Sequence, residues 1–166
     1  SMIMETYNTN DEIVCPYCAH AIKEKNMNTY RITRIKEKEY ADCYSYNAKN
    51  EYGQLLRCEA FIPDEKIGCW PANTFNFAFR IQTKRKHKPA DGTISGRGGL
   101  GSLLWAKECL LDFISFIRTE KGNKYKGYRI LVSPATRRLQ KIYEHYLVPI
   151  GFKKTYSRFH DLLFSI

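Results

Sequence analysis

The run Gly96-Arg97-Gly98-Gly99-Leu100-Gly101-Ser102-Leu103-Leu104 passes directly into an apolar stretch with helical spacing. Gly98, Gly99 and Gly101 let the backbone approach a ligand closely, because no Cβ intervenes. A helix that starts there aims its unpaired N–H groups and the positive end of its dipole at the occupant of the loop. Such a site suits a phosphate or pyrophosphate. Glycine-rich turns also precede helices that bind nothing, so the flanking elements decide what this one means.

Upstream, Thr74-Phe-Asn-Phe-Ala-Phe-Arg-Ile-Gln82 alternates strictly, with Phe75, Phe77 and Phe79 on one side, and predicts a strand. Downstream, the spacing predicts a helix over 99–120. Leu103, Leu104, Leu110, Leu111, Ile114 and Ile117 share one face of it, and Gly122 stops it. An apolar run over 128–132 predicts a buried strand. Ser133-Pro134 predicts the start of a second helix, with Ser133 as N-cap and Pro134 in the first turn. Its apolar stripe is Leu139, Ile142, Tyr143, Tyr146 and Leu147. Further strands are expected over 151–156 and 161–166. Before residue 74, strands are expected over 30–35, 40–46 and 54–62, with a turn over 47–53. From residue 74 the order is strand, glycine loop, helix, strand, helix, strand, strand. That order indicates an α/β fold built on a mixed sheet.

A composition 43% apolar and 14% aromatic belongs to a globular chain, not a disordered one. No apolar run is long enough to span a bilayer, so no membrane partner is expected. No secretory pattern is visible at the N-terminus, and a cytoplasmic setting with reduced thiols is expected. Charge is divided unevenly. Residues 1–72 hold 9 Lys/Arg against 11 Asp/Glu, a net of −2; residues 73–166 hold 18 against 6, a net of +12. The basic part contains the glycine loop and the segment Thr83 to Pro89, with Lys84, Arg85, Lys86 and Lys88. It suits an anionic ligand, nucleic acid or tRNA, or a solvated surface.

Cys15-Pro16-Tyr17-Cys18 has the spacing of half a zinc site. Cys43 and Cys58 are the preferred completion for Zn2+, with Cys69 and His20 as other partners. Buried free thiols are the alternative. The chain therefore divides into a cysteine-bearing segment, 1–27, and one larger domain, 28–166.

From Thr74 to Ile166 the chain resembles the GNAT superfamily of acetyl-coenzyme A-dependent N-acetyltransferases. Gly99 and Gly101 stand at the two small positions of a loop that resembles the family's pyrophosphate loop, and Arg97 adds a cation. Thr136-x-x-Leu139-x-x-x-Tyr143-Glu144 is similar to its second motif, and Gly151-Phe152 to the Gly-Phe that follows. His160 to Ile166 resembles its final strand. Gly96 departs from the usual Gln or Arg, Thr136 from Asn, and the interval from Tyr143 to Gly151 is four residues longer. The resemblance implies a GNAT-like fold and transfer of an acetyl group to an amine-bearing acceptor that the sequence does not name. It implies that acetyl-coenzyme A lies against Arg97, Gly98, Gly99, Leu100, Gly101, Ser102 and Thr136. It also implies that a splayed strand around Phe79 to Gln82, with Ile81 and Gln82, offers backbone N–H groups. Tyr143 is the implied acid for the leaving thiolate and Tyr146 the reserve. Glu59 is a candidate base. The alternative reading is a zinc-containing binding module whose basic half contacts nucleic acid or a protein.

Overall fold

The computed structural model describes residues 12–14, 21–23, 30–64, 71–82, 89–91 and 99–166. Two short strands, β1 (Glu12–Val14) and β2 (Ala21–Lys23), pair antiparallel as a separate ribbon. The main sheet contains β3 (Ile35–Lys36), β4 (Tyr44–Lys49), β5 (Leu55–Phe61), β6 (Thr74–Gln82), β7 (Pro89–Asp91), β8 (Arg129–Val132), β9 (Lys153–Tyr156) and β10 (Leu162–Ser165). In space the strands run β3-β4-β5-β6-β8-β10-β9, with β7 pairing to β6 off that path. Every pair is antiparallel except β6–β8. A parallel pair needs a crossover of a dozen residues or more, and helix α1 (Gly99–Arg118) supplies it. Helix α2 (Arg137–Leu147) connects β8 to the β9–β10 hairpin. The chain is thus a mixed α+β protein with an open mixed sheet and two helices.

Both helices lie on one face. Phe75, Phe77 and Phe79 of β6 turn to α1: Phe75 meets Phe113 edge-on at 5.1 Å and Phe79 meets Trp105 at 6.2 Å. Phe75 pairs with Ile130 in parallel register, and Phe164 pairs with Val132. Alternation therefore puts Phe164 on the same face, where it meets Tyr143 of α2 at 6.2 Å. The other face is polar over β3 to β6. There Arg57 donates to Glu59 (2.8 Å) and Glu37 (3.0 Å), and Ser45 Oγ donates to Glu37 (2.6 Å).

The strand over 74–82 and the start of α1 at Gly99 match their expected positions. Strand β7 (Pro89–Asp91) lies where the sequence indicates only a basic loop over 83–95, and three other elements differ. The expected strand over 30–35 shrinks to Ile35–Lys36 because its first half crosses α1: Trp105 Nε1 donates to the Arg31 carbonyl (3.0 Å), and Arg34 pairs with Asp112 (2.7 Å). The strand expected over 40–46 begins at Tyr44, after a turn in which Asp42 takes φ +55°. The N-cap of α2 is Thr136, not Ser133. Thr136 is extended (φ −135°, ψ 162°), and its hydroxyl accepts the Leu139 N–H at 3.2 Å. Helix α1 is also buried more widely than one stripe, since Trp105, Cys109, Phe113 and Phe116 join the leucines in the core. It is wedged between the sheet, the 30–34 segment and α2.

Candidate active site

Strand β6 outruns β8. Its ladder with β5 is unbroken from Asn76–Phe61 to Gln82–Leu55. On the opposite edge β8 pairs only Thr74, Phe75 and Asn76, and β7 pairs only Arg80, Ile81 and Gln82. Phe77, Ala78 and Phe79 have no ladder partner on that edge among the described residues. The Arg129 N–H donates to the Asn73 carbonyl at 3.0 Å, so odd-numbered residues turn their backbone groups toward β8. The β5–β6 register contains no bulge, and the two-residue period carries this orientation forward. The last rung, Asn76–Leu131, engages the Phe77 N–H with the Leu131 carbonyl, so the Phe77 C=O and the Phe79 N–H face the gap where β6 and β8 part.

That gap opens a cleft of about 260 Å³. Leu103, Leu104 and Lys107 of α1 line one wall, and Ile142, Tyr143 and Tyr146 of α2 line another. Ligand clefts start near ~300 Å³, so the space suits a slim arm, with any bulky head group outside. The N–H groups of Gly99, Leu100 and Gly101, in the first turn of α1, have no partner within the helix. They lie about one turn, ~5.4 Å along the axis, from the wall residues Leu103 and Leu104. Gly99 and Gly101 are buried. The Ser102 hydroxyl is turned inward, 3.2 Å from Asn50 Nδ2, and ties the β4–β5 turn to the helix.

The cleft's titratable groups are shaped by burial. Burial, and secondarily the Cys58 thiol, holds the Tyr143 phenol above its ordinary range, so it stays protonated. Lys107 is shifted down, chiefly by desolvation; Glu108 opposes the shift. Its Nζ stands 4.9 Å from the centre of the Tyr146 ring. Desolvation disfavours the charged form. Between the folded value of Lys107 and the ordinary 10.5, the unfolded chain binds more protons, and stability rises with pH across that window. Lys107→Met is therefore expected to stabilise the protein below the window by about 0.5–2 kcal/mol, less about 0.5–1 kcal/mol for the lost cation–π contact. The advantage is expected to disappear as pH approaches 10.5. Urea unfolding of both proteins at pH 7 and pH 10 checks this; a gain that is constant with pH would sink it.

Asn76 also lines the cleft, and its Oδ1 is buried without a hydrogen-bond partner. Leaving a buried acceptor unmet costs about 1–3 kcal/mol. Glu59 lies on the polar face beside the cleft, opposite Ala78 in the ladder. Its Oε1 is engaged by Arg57 at 2.8 Å and lies 3.7 Å from Arg80.

The structure brings together Tyr143, Tyr146, the start of α1 and the β6–β8 gap. Ile81 and Gln82 are paired on both edges, so the backbone groups that face the cleft are the Phe77 C=O and the Phe79 N–H. Thr136 is occupied as a helix cap. Arg97, Gly98, Cys15, Cys18, Cys69, His20 and the basic residues 84–88 lie outside the described residues. Cys43 and Cys58 do not converge. Cys58 faces α1, where it meets the Cys109 thiol. Cys43 lies on the opposite face, in register with Glu37. That pair does not chelate a single ion, and among the described residues no three His, Cys, Asp or Glu side chains gather as a metal site. The sequence reading missed Lys107 and Asn76. Lys107 had a signal, a lone cation four residues after Leu103 on the apolar stripe. Asn76 had none, because an asparagine on the polar side of a strand is ordinary. No described helix is long and apolar enough to cross a membrane. No family model, curated protein or solved structure matches this chain.

Proposed function

We propose that the protein is a GNAT-type N-acetyltransferase that moves an acetyl group from acetyl-coenzyme A to an amine. The observation that carries this reading is the parting of β6 and β8 beside the N-terminus of α1. It leaves the Phe79 N–H facing a cleft lined by Tyr143. Such a gap suits a thioester: the fixed N–H group stabilises the oxyanion that develops on the acetyl carbonyl. The helix N-terminus, with Gly99 and Gly101 clearing the approach, suits the pyrophosphate. In the reaction the amine nitrogen bonds to the acetyl carbon and the C–S bond breaks. The electron pair goes to sulfur, which gains a proton while the nitrogen loses one.

Tyr143 acts as the donor toward sulfur. Its raised phenol is a weaker acid than a thiol, whose ordinary value is about 8.5. Full ionisation of the tyrosine is therefore uphill, and it works by a hydrogen bond that strengthens as the thiolate forms. Calorimetry with acetyl-coenzyme A tests the reading first. Binding in the micromolar range, about −8 kcal/mol at 1 μM, is the expected outcome. Absence of binding to the folded protein would move the function to the basic half as a binding module.

A further inference from the structure

We propose that the turn end of the β9–β10 hairpin binds single-stranded nucleic acid, with unpaired bases stacked on Tyr156 and Phe159 and phosphates held by the cations around them. This goes beyond the acetyltransferase reading and does not depend on it. The two rings are 66% and 67% exposed, on a turn fixed by its own hydrogen bonds. Ser157 Oγ accepts the Phe159 and Asp161 N–H groups at 3.2 and 3.1 Å, and the Ser157 N–H donates to the Asp161 carbonyl at 2.9 Å. A platform already ordered loses little freedom when a base settles on it. The Arg158 guanidinium stands 5.7 Å from the centre of the Phe159 ring, so a base stacked there lies beside a cation. The start of α2 is at the same end of the sheet: Ser133 and Gln140 share a polar cavity of about 280 Å³ with Ser157 and Asp161. Arg137 and Arg138, which lie between Ser133 and Gln140 in the chain, are exposed. The cavity offers donors and acceptors to the edge of an unpaired base.

Charge and shape select this partner. From residue 133 onward the chain holds 6 Lys/Arg against 2 Asp/Glu, a net of +4, and one of those carboxylates, Glu144, is matched by Lys154 at 2.7 Å. Strand β9 is the edge of the sheet. Lysines on an edge guard it against pairing with another chain, which accounts for Lys153 and Lys154. Large exposed rings do the opposite and invite association. A second copy carries the same positive charge and is repelled, whereas an anionic partner is attracted. A single strand presents flat, unpaired bases that stack on an aromatic ring whatever their sequence, while bases in a duplex are hidden in their own stack. A lipid surface takes up a wider apolar face; here Ser157 and Arg158 separate the two rings and His160 flanks them.

The test is fluorescence anisotropy of the full chain with a fluorescein-labelled oligouridylate of roughly 12 nucleotides, at potassium chloride concentrations from about 50 to about 200 mM. Saturable binding is expected, with the logarithm of the affinity falling by about 0.7 per phosphate contacted for each tenfold rise in salt. Tyr156→Thr and Phe159→Ser are each expected to weaken binding by about 5- to 150-fold, the value of one stacked base. Tyr156→Phe is expected to bind as the unaltered protein does, because it keeps the ring. Arg158→Gln is expected to lower the salt slope by about 0.7. These side chains are exposed, so the thermal midpoints are expected to stay within about 2 °C of the unaltered protein. Absence of binding would overturn the proposal, as would equal affinity for a duplex of the same length. So would affinity that neither ring substitution changes, which would leave charge alone as its source. Binding to phosphatidylserine vesicles with none to the oligonucleotide would assign the surface to a membrane instead. Failure of the acetyltransferase reading is seen separately, as absence of acetyl-coenzyme A binding, and leaves this titration unaffected.

Discussion

Tyr143→Phe is expected to lower amine-dependent release of coenzyme A thiol by about 10²- to 10⁴-fold, the usual contribution of a positioned proton donor. The substitution removes one hydroxyl and keeps the ring. Packing against Phe164 is retained, so the fold and the affinity for acetyl-coenzyme A are expected to persist. The fall is therefore expected in kcat, since the lost interaction forms only as the C–S bond breaks. Tyr146→Phe is the control. Its ring lies under Lys107 at 4.9 Å, a contact that the phenylalanine keeps, and only a small change in rate is expected. The pH profile adds a second check. Because burial raises the Tyr143 phenol, the protonated donor is present throughout the neutral and moderately alkaline range. The descending limb assigned to this group then lies above the ordinary tyrosine value of about 10. Full turnover in Tyr143→Phe and Tyr146→Phe alike would show that neither tyrosine is the donor.

Phe113→Ala is expected to destabilise the protein by about 3–5 kcal/mol, without direct contact with the cleft. The Phe113 ring is fully buried. It meets Phe75 at 5.1 Å, Tyr44 at 5.8 Å, Phe77 at 6.0 Å and Phe116 at 6.3 Å. These neighbours come from β4, β6 and α1 itself. Rings fixed on three elements do not collapse into the vacated volume, so the cavity penalty adds to the lost transfer energy. Urea unfolding measures the effect as a lower midpoint at unchanged slope, and the thermal midpoint is expected to fall by about 10 °C. Phe113→Leu, closer in volume, is expected to cost clearly less. A loss below about 1 kcal/mol for the alanine variant would place the ring outside the central packing.

The residues that span local periods were legible in the sequence. Thr74 to Gln82 alternates because one face must meet a helix and the other is polar, and the strand has those bounds in the structure. The start of α1 at Gly99 was legible because the glycines break one pattern and the leucines open another. Tyr143 was reached through the resemblance, and the structure puts it in the cleft wall. The N-cap of α2 was misplaced because Ser133 and Thr136 are both good caps. Chain geometry decides between them: Ser133 is drawn to the end of β8 at the cleft, and Thr136 is left to cap.

By itself, the sequence determined the strands and helices from residue 74 onward other than β7, where α1 begins, and how charge divides between the two halves. These are local properties, set by side-chain period and composition over a few consecutive residues. Only the tertiary structure decided that β8 leaves β6 after Asn76, that the Phe77 C=O and the Phe79 N–H therefore face a gap, and that Cys43 and Cys58 point apart. It likewise decided that the Asn76 carbonyl is buried without a donor. Each of these depends on strand register and on which face of the sheet the helices cover, and those follow from packing between segments far apart in the chain.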